Sequence, residues 1–551
     1  MNQPCKWWQD TIVYQIYPRS FKDSNSDGFG DINGITQKLD YLKLLGVDYL
    51  WICPFFVSPQ NDNGYDVADY RSIDPVFGTM EDVEELIAEA AKRNIYLMFD
   101  MVFNHCSTEH EWFKKALAGD EKYKNYFYFR KPVNGHMPTN WVSKFGGPVW
   151  EYVPEFDEYY LHLFDKTQAD LNWFNPDVRE ELCDILNFWI KKGVKGFRFD
   201  VVNLISKPDE FLDDYEGDGR RFYTDGPRIH EYLKLMNEKS FGSGDFITVG
   251  EMSSTSIENC RKYSGENEHE LSMVFNFHHL KVDYQDKQKW TSMPFDFKEL
   301  KELFVKWQLG MQENKAWNAL FWNCHDQPRS LSRFGDDKNY PVESAKMLAT
   351  AIHMMQGTPY IYQGEEIGMT NPYFTSIDQY RDVETKNYFE ILKGEGKKEP
   401  EIYKILSEKS RDNARTPVQW NDELYAGFSD VEPWIEVNSN YKQINAQKAI
   451  EDENSIFYHY QKLIKLRKQY KSVSEGTFEP LLMEHESVYA YKRKYGAEEL
   501  IVLNNFYGRH TTIELDDIDN YEVLISNYPA KKIQMNMELM PYESIVYIRK
   551  K

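Results

Sequence analysis

Eight short apolar runs, rich in β-branched and aromatic residues, recur along the first two-thirds of the chain. They read IVYQIYP (12–18), VDYLWICP (47–54), IYLMFDMVFN (95–104), GFRFDVV (196–202), FITVGEM (246–252), LSMVFNF (271–277), WNALFWNCHD (317–326) and TPYIYQGEEIG (358–368). None alternates apolar with polar residues as a half-exposed strand does, so each reads as a strand buried on both faces, the habit of parallel sheets. Helical periodicity fills several gaps, as in MEDVEELIAEAAKR and REELCDILNFWIKKG. Eight strands alternating with helices predict an α/β fold, a (β/α)8 TIM barrel, although a doubly wound sheet alternates in the same way.

Two interruptions set the domain plan. Residues 105–175 are too many for one crossover helix and are crowded with Trp, Tyr, Phe, Gly and Pro, which predicts an inserted subdomain after the third strand. From about residue 475 the texture changes to short alternating segments such as VYAYKRK, ELIVLNNF and SIVYIRK, the pattern of a C-terminal antiparallel β-sandwich domain. The expected division is therefore 1–104 for the first part of the barrel, 105–175 for the insert, 176–474 for the rest of the barrel and 475–551 for the β domain. A chain of 551 residues is long enough for two or three such cores.

Charge and cysteine usage narrow the partners. A net charge of −23, from 65 basic and 88 acidic residues, opposes nucleic acid and anionic membrane. The N-terminus carries no basic segment followed by an apolar core, and no run of about 18 apolar residues occurs, so neither a leader nor a membrane span is expected. The six cysteines (5, 53, 106, 183, 260 and 324) form no CxxC pair, which fits packed thiols in a reducing cytoplasm. Aromatic residues make up 16%, and flat rings suit stacking against sugar faces.

One loop reads as a cation site. In DSNSDGFGD, oxygen-bearing Asp23, Asn25 and Asp27 alternate ahead of a sixth-place Gly, as at the start of a calcium loop. The twelfth place holds Gly34 rather than Glu, and no helix pair flanks the loop, so an EF-hand is not expected.

The predicted strand ends gather chemistry. The third run ends through Asp100, Asn104 and His105; the fourth through Arg198, Phe199 and Asp200; the fifth in Glu251; the seventh in His325 and Asp326. In a barrel those ends line one mouth. Arg198 lies two residues before Asp200 and so shares its strand face, where its charge is expected to keep Asp200 ionised. Glu251 follows apolar FITVG, where desolvation is expected to keep it protonated. One ionised and one protonated carboxyl about 5–5.5 Å apart are what glycoside hydrolysis with retention requires.

The segments DMVFNH, GFRFDVVN, GEM and NCHD, in that order, resemble the four signature regions of the α-amylase family of glycoside hydrolases, and VYQIYPRSF, GYDVADY, GTPYIYQGEEIGM and RDNARTPVQW extend the likeness over essentially the whole chain. The resemblance points to the branch holding oligo-1,6-glucosidases, dextran glucosidases, sucrose isomerases and trehalose-6-phosphate hydrolases. It implies a retaining mechanism with Asp200 as nucleophile, Glu251 as general acid/base and Asp326 as the carboxylate that holds sugar hydroxyls. It further implies that Asp66, His105, Arg198, His325 and Arg411 contact the non-reducing glucose, with Tyr65 as its stacking platform. It also implies one structural calcium held by Asp23, Asn25, Asp27 and Asp31 and by the carbonyl of Phe29, and no organic cofactor.

The bond and sugar are read from two places. Val201 after the nucleophile resembles the part of the branch that cleaves α-1,6 or unusual linkages. A basic stretch around His278, His279, Lys281, Lys287 and Lys289, with EGDGRRFYTDGPR (216–228), resembles trehalose-6-phosphate hydrolases. The expected substrate is therefore a small sugar phosphate, α,α-trehalose 6-phosphate, split by an exo-acting enzyme into glucose and glucose 6-phosphate, with Lys281, Lys289, His279 and Arg220 around the phosphate. The alternatives are an oligo-1,6-glucosidase and, at greater distance, a non-catalytic transporter-associated protein of the same fold; the presence of all three carboxylates speaks against the latter. Oligomeric state is not legible.

Overall fold

A computed structural model describes residues 7–313 and 315–550. Cys5 lies outside the described residues; the other five cysteines are buried and none is in a disulfide. Eight strands form one sheet: β1 (Val13–Ile16), β2 (Tyr49–Ile52), β3 (Tyr96–Met101), β4 (Gly196–Phe199), β5 (Ile247–Met252), β6 (Met273–Asn276), β7 (Ala319–Leu320) and β8 (Thr358–Tyr362). Their hydrogen-bonded order is β6-β5-β4-β3-β2-β1-β8-β7, the sequential order of an eight-stranded barrel. β1–β8, β7–β8, β3–β4, β4–β5 and β5–β6 pair in parallel. Every residue of β1, β2, β4, β6 and β8 is buried, which explains why these runs show no alternation.

The described residues divide into two compact units. One contains 51–91 and 96–277; the other contains 7–50, 92–95 and 278–550.

In the first unit, β3, β4, β5 and β6 stand in consecutive order. Helix α1 (Met80–Lys92), which runs one residue past this unit, precedes β3, and α2 (Pro176–Lys192) precedes β4. α2 begins where its sequence allows it. Asn175 accepts from the Asp177 N–H as N-cap, Pro176 occupies the first turn, and Gly193 closes the helix in the left-handed region at φ 105°. The segment after β3 holds a three-stranded sheet, ordered Phe129–Arg130, Glu158–Leu161, Trp150–Val153, beside the antiparallel pair His105–Ser107 and Gln168–Asp170. The aromatic run serves as its core: Tyr128, Trp141, Trp150 and Leu161 pack with Val201, Leu204 and Tyr223.

In the second unit, β1, β8 and β7 are adjacent, and the chain ends in antiparallel strands. Thr477–Leu481, Val488–Tyr495, Glu498–Asn505, Ser544–Lys550 and Glu522–Ser526 form one sheet in that order, and Thr511–Glu514 pairs with Asn536–Leu539. Their inward faces supply the core of Val488, Ala490, Ile501, Leu503, Leu539, Ile545 and Tyr547. Among the described residues, no helix is long and apolar enough to cross a membrane.

Candidate active site

In the first unit, Arg198 is the hub. It is 2% exposed and donates from Nη1 to Asp100 Oδ1 at 2.6 Å and to Asp200 Oδ1 at 2.7 Å, and from Nη2 to Glu251. Parallel registry brings these groups together: Arg198 on β4 is level with Asp100 on β3 and with Val249 on β5, two residues before Glu251. Tyr65 Oη and Trp51 Nε1 both donate to Asp100 Oδ2, at 2.9 and 3.1 Å, and the guanidinium lies 5.8 Å from the Tyr65 ring centre.

One cation therefore answers three carboxylates, and this corrects the expectation for Asp200. Its pKa stands well above the ordinary carboxylate value. Burial is the largest cause, Arg198 opposes it, and the charges of Glu251 and Asp100 add to the rise, as does a hydrogen bond with Glu251. Asp100 is likewise pushed up, to about 6, chiefly by burial. Arg198 shares its charge instead of dedicating it to Asp200, so its pull on Asp200 does not outweigh burial. Asp200 and Glu251 are each bonded to the same guanidinium, so both carboxyl groups face one point of the site.

The residue after Asp200 is strained. Val201 sits at φ 34°, ψ 40°, a region that a β-branched side chain avoids, and its N–H points to Glu251 Oε2 at 3.3 Å. His105 is buried. Its Nε2 lies 3.1 Å from the Tyr65 carbonyl and 3.2 Å from Gln168, and burial lowers its pKa to about 4, so the ring is neutral. Asp66 is fully buried and accepts from Ser58 Oγ and from the Asn61 and Asp62 N–H groups. Arg220 pairs with Asp218 at 2.8 Å and is half exposed.

The second unit holds an arginine pair around Asp326. Arg415 Nη2 is 2.9 Å and Arg411 Nη1 3.3 Å from Asp326 Oδ1, and His325 Nε2 is 3.2 Å from Asp326 Oδ2. Buried Asp382 holds Arg411 at 2.5 Å and stays ionised: the two arginines outweigh the cost of burial and depress its pKa. His325 stacks on Tyr17 at 6.1 Å and 14° and is fixed by Gln15 at 2.8 Å. Asp326 is the open member, with 29% of its side chain exposed. Arg415, Asp382, Gln15 and Tyr17 were not singled out from sequence. Three lie in quoted segments, RDNARTPVQW and VYQIYPRSF; Asp382 carries no motif signal.

The basic stretch is less free than its composition implied. His279 is withdrawn from the phosphate set: it is buried among Phe304, Phe321 and Trp322, bonded to the Phe321 carbonyl, and burial drops its pKa to about 3. Lys289 pairs with Glu384 at 2.6 Å, and Lys281 is exposed. The stretch is anchored by buried Asp283, which binds Arg333 at 2.6 Å and Lys409 at 2.6 Å; these three also line a cavity of about 470 Å³.

The loop from Asp23 to Asp31 is bound by its own backbone. Asp23 accepts from the N–H groups of Asn25, Ser26 and Gly28 and from Ser429, and Asp31 accepts from Ser24 and Gly34. Asp27 accepts from Phe29 N–H and Asn25. Among the described residues, no group of three His, Cys, Asp or Glu side chains is arranged to hold a metal.

The chain is similar to known proteins over nearly its whole length. Residues 15–476 match the family described as alpha amylase, catalytic domain, and residues 488–546 match the alpha-amylase SusG C-terminal domain. The chain is 55% identical to the trehalose-6-phosphate hydrolase of Bacillus subtilis, with 99% of each chain covered. It is 48% identical to the oligo-1,6-glucosidase of Bacillus cereus, over 98% of this chain and 99% of that one. The crystal structure of Bacillus licheniformis trehalose-6-phosphate hydrolase superposes with a TM-score of 0.96 at 54% identity, covering 99% of this chain and all of that one.

Proposed function

The chain belongs to the α-amylase family of glycoside hydrolases, and we propose that it hydrolyses α,α-trehalose 6-phosphate to glucose and glucose 6-phosphate with retention. The observation that carries the chemistry is the single guanidinium shared by Asp200 and Glu251. Two carboxyl groups gathered on one guanidinium, one serving as nucleophile and one as acid, suit a double displacement. Asp200 attacks the anomeric carbon while Glu251 gives its proton to the glycosidic oxygen, and the phosphorylated sugar leaves. Glu251, now ionised, takes a proton from water, whose oxygen displaces Asp200 from the glucosyl carbon and regenerates the acid. Arg198 hydrogen-bonds both groups throughout and limits the repulsion that follows proton transfer. Asp326, oriented by Arg411 and Arg415, is assigned to the sugar hydroxyls; Tyr65, Asp66, His105, Arg198, His325 and Arg411 are assigned to the glucose.

The substrate assignment draws on the relatives named trehalose-6-phosphate hydrolase and on Lys281 and Lys289, which we assign to the phosphate; Arg220 is a further cation for it. Turnover of trehalose 6-phosphate, trehalose and isomaltose by the purified chain tests it. The phosphorylated disaccharide is expected to lead by more than tenfold in kcat/KM, and equal rates on both trehalose forms would defeat the assignment. Preference for isomaltose would favour the oligo-1,6-glucosidase reading, which the 48% identical relative and Val201 support.

We also assign calcium to the loop of Asp23, Asn25, Asp27, Phe29 and Asp31. A carboxylate oxygen that accepts one N–H keeps a second lone pair, and an all-oxygen donor set suits this hard cation. A chelator is expected to lower the thermal midpoint and added calcium to restore it; an unmoved midpoint would remove the assignment. A cytoplasmic setting is supported by five buried cysteines that form no disulfide.

A further inference from the structure

The ion pair between Lys289 and Glu384 lies within a chain of charges that ends at Asp326. Glu384 opens helix α3 (Val383–Gly394). Its Oε2 is 2.6 Å from Lys289 Nζ and 3.5 Å from Arg411 Nε. Arg411 in turn reaches Asp382 and Asp326. The pair is largely covered, with 22% of the lysine and 12% of the glutamate side chain exposed. One helical turn beyond Glu384, Tyr388 stacks on Trp290 at 4.9 Å and 19°, so neighbouring residues of the basic stretch dock on one face of α3. Lys289 also lies 4.8 Å from the Trp290 ring centre. Its ammonium is thus held in place rather than waving in solvent.

We propose that Glu384 is an internal stand-in for the substrate's phosphate: it neutralises Lys289 in the free protein and yields it to an arriving phosphomonoester dianion. This inference rests on the phosphorylated-disaccharide reading. Lys289 has three N–H donors, one carboxylate partner and no deep burial, so a group with more charge and more acceptor oxygens can outcompete Glu384. A phosphomonoester carries about −1.5 to −2 charge at neutral pH and three acceptor oxygens. Glu384 does not become an unpaired buried charge when displaced, because Arg411 stands 3.5 Å away to receive it. A neutral disaccharide cannot make the exchange and meets a closed ion pair. Selectivity then arises from a bond that only the charged substrate can open.

The test uses the full chain and three variants: Glu384→Gln, Lys289→Met and the double substitution. Removing the competing carboxylate is expected to lower KM for trehalose 6-phosphate about tenfold while KM for trehalose does not fall. Lys289→Met is expected to raise KM for trehalose 6-phosphate about tenfold, and Glu384→Gln is expected to have no further effect on KM in that background. The inference is overturned if Glu384→Gln leaves that KM unchanged or raises it while the unmodified chain still prefers the phosphorylated substrate. A chain with no such preference loses the substrate reading and this inference together. Should Glu384→Gln fail to fold, a crystal structure of the unmodified chain with glucose 6-phosphate decides instead. A broken Lys289–Glu384 contact with phosphate on Lys289 supports the exchange, and a retained contact overturns it.

Discussion

Replacing Arg198 by methionine tests the electrostatics of the carboxyl cluster. Its Nη1 is 2.7 Å from Asp200, so the centres of the two charges are about 4 Å apart. At an effective dielectric of about 20, opposite charges at that distance attract by about 4 kcal/mol. Since about 1.4 kcal/mol is one decade, the ionised fraction of the nucleophile at neutral pH should fall by about 10³. Arg198 favours the charged form of Asp200, so its loss should move the acid limb of the kcat/KM profile to higher pH, with part of the activity returning in alkali. The assay is kcat/KM for p-nitrophenyl α-glucoside against pH, with circular dichroism to establish folding. Adding Asp100→Asn removes one like charge and should recover about tenfold of the loss. A variant that keeps more than a tenth of the original kcat/KM would refute the reasoning. A large loss with an unmoved acid limb would refute it too, because Arg198 would then act through position alone.

Glu251→Gln should lower kcat on trehalose 6-phosphate by about 10³ and slow the first step on p-nitrophenyl α-glucoside far less, since that leaving group needs no proton; pre-steady-state release of nitrophenol measures it. Val201→Gly should relieve about 1–3 kcal/mol of backbone strain but forfeit a similar amount of buried packing, leaving the thermal midpoint no higher, while kcat falls as the N–H facing Glu251 loosens. Burial works against the charge of Asp283, but Arg333 and Lys409 prevail and its pKa lies below the usual range. A depressed pKa stabilises above the unfolded value near about 3.9 and is lost as pH falls through the lower folded value. Asp283→Asn, which leaves two buried cations short of a partner, should therefore cost about 3 kcal/mol at pH 7 and progressively less below about pH 4, as read by urea unfolding.

Why the scaffold could be read from the chain and the charge network could not is a matter of range. All eight barrel strands lie inside the eight apolar runs, because burial on both faces leaves a signature within five or six neighbouring residues. The C-terminal strands were legible as strands, but not as half-exposed ones: Glu498–Asn505 and Ser544–Lys550 are buried on both faces along most of their length. Asp200, Glu251 and Asp326 could be singled out because motif and strand end coincide. The number of carboxylates that Arg198 serves is a different kind of fact. It depends on the registry of β3 against β4 and of β4 against β5, and the sequence of β4 alone suggested one client where there are three. That miscount reversed the direction expected for Asp200.

The basic stretch shows the same limit from the other side. Five cationic or imidazole side chains in twelve residues looked like one electropositive patch. Folding sorts them by depth: His279 is a neutral ring in an aromatic nest, Lys289 is answered by a glutamate 95 residues away, and Lys281 faces solvent. Composition can announce that charge is present, but only the fold says which charges already have a partner, and a ligand must compete with those partners. The affinity of such a site for phosphate is therefore set as much by Glu384 as by the lysine it holds, which is why the exchange, and not the lysine count, is the quantity to measure.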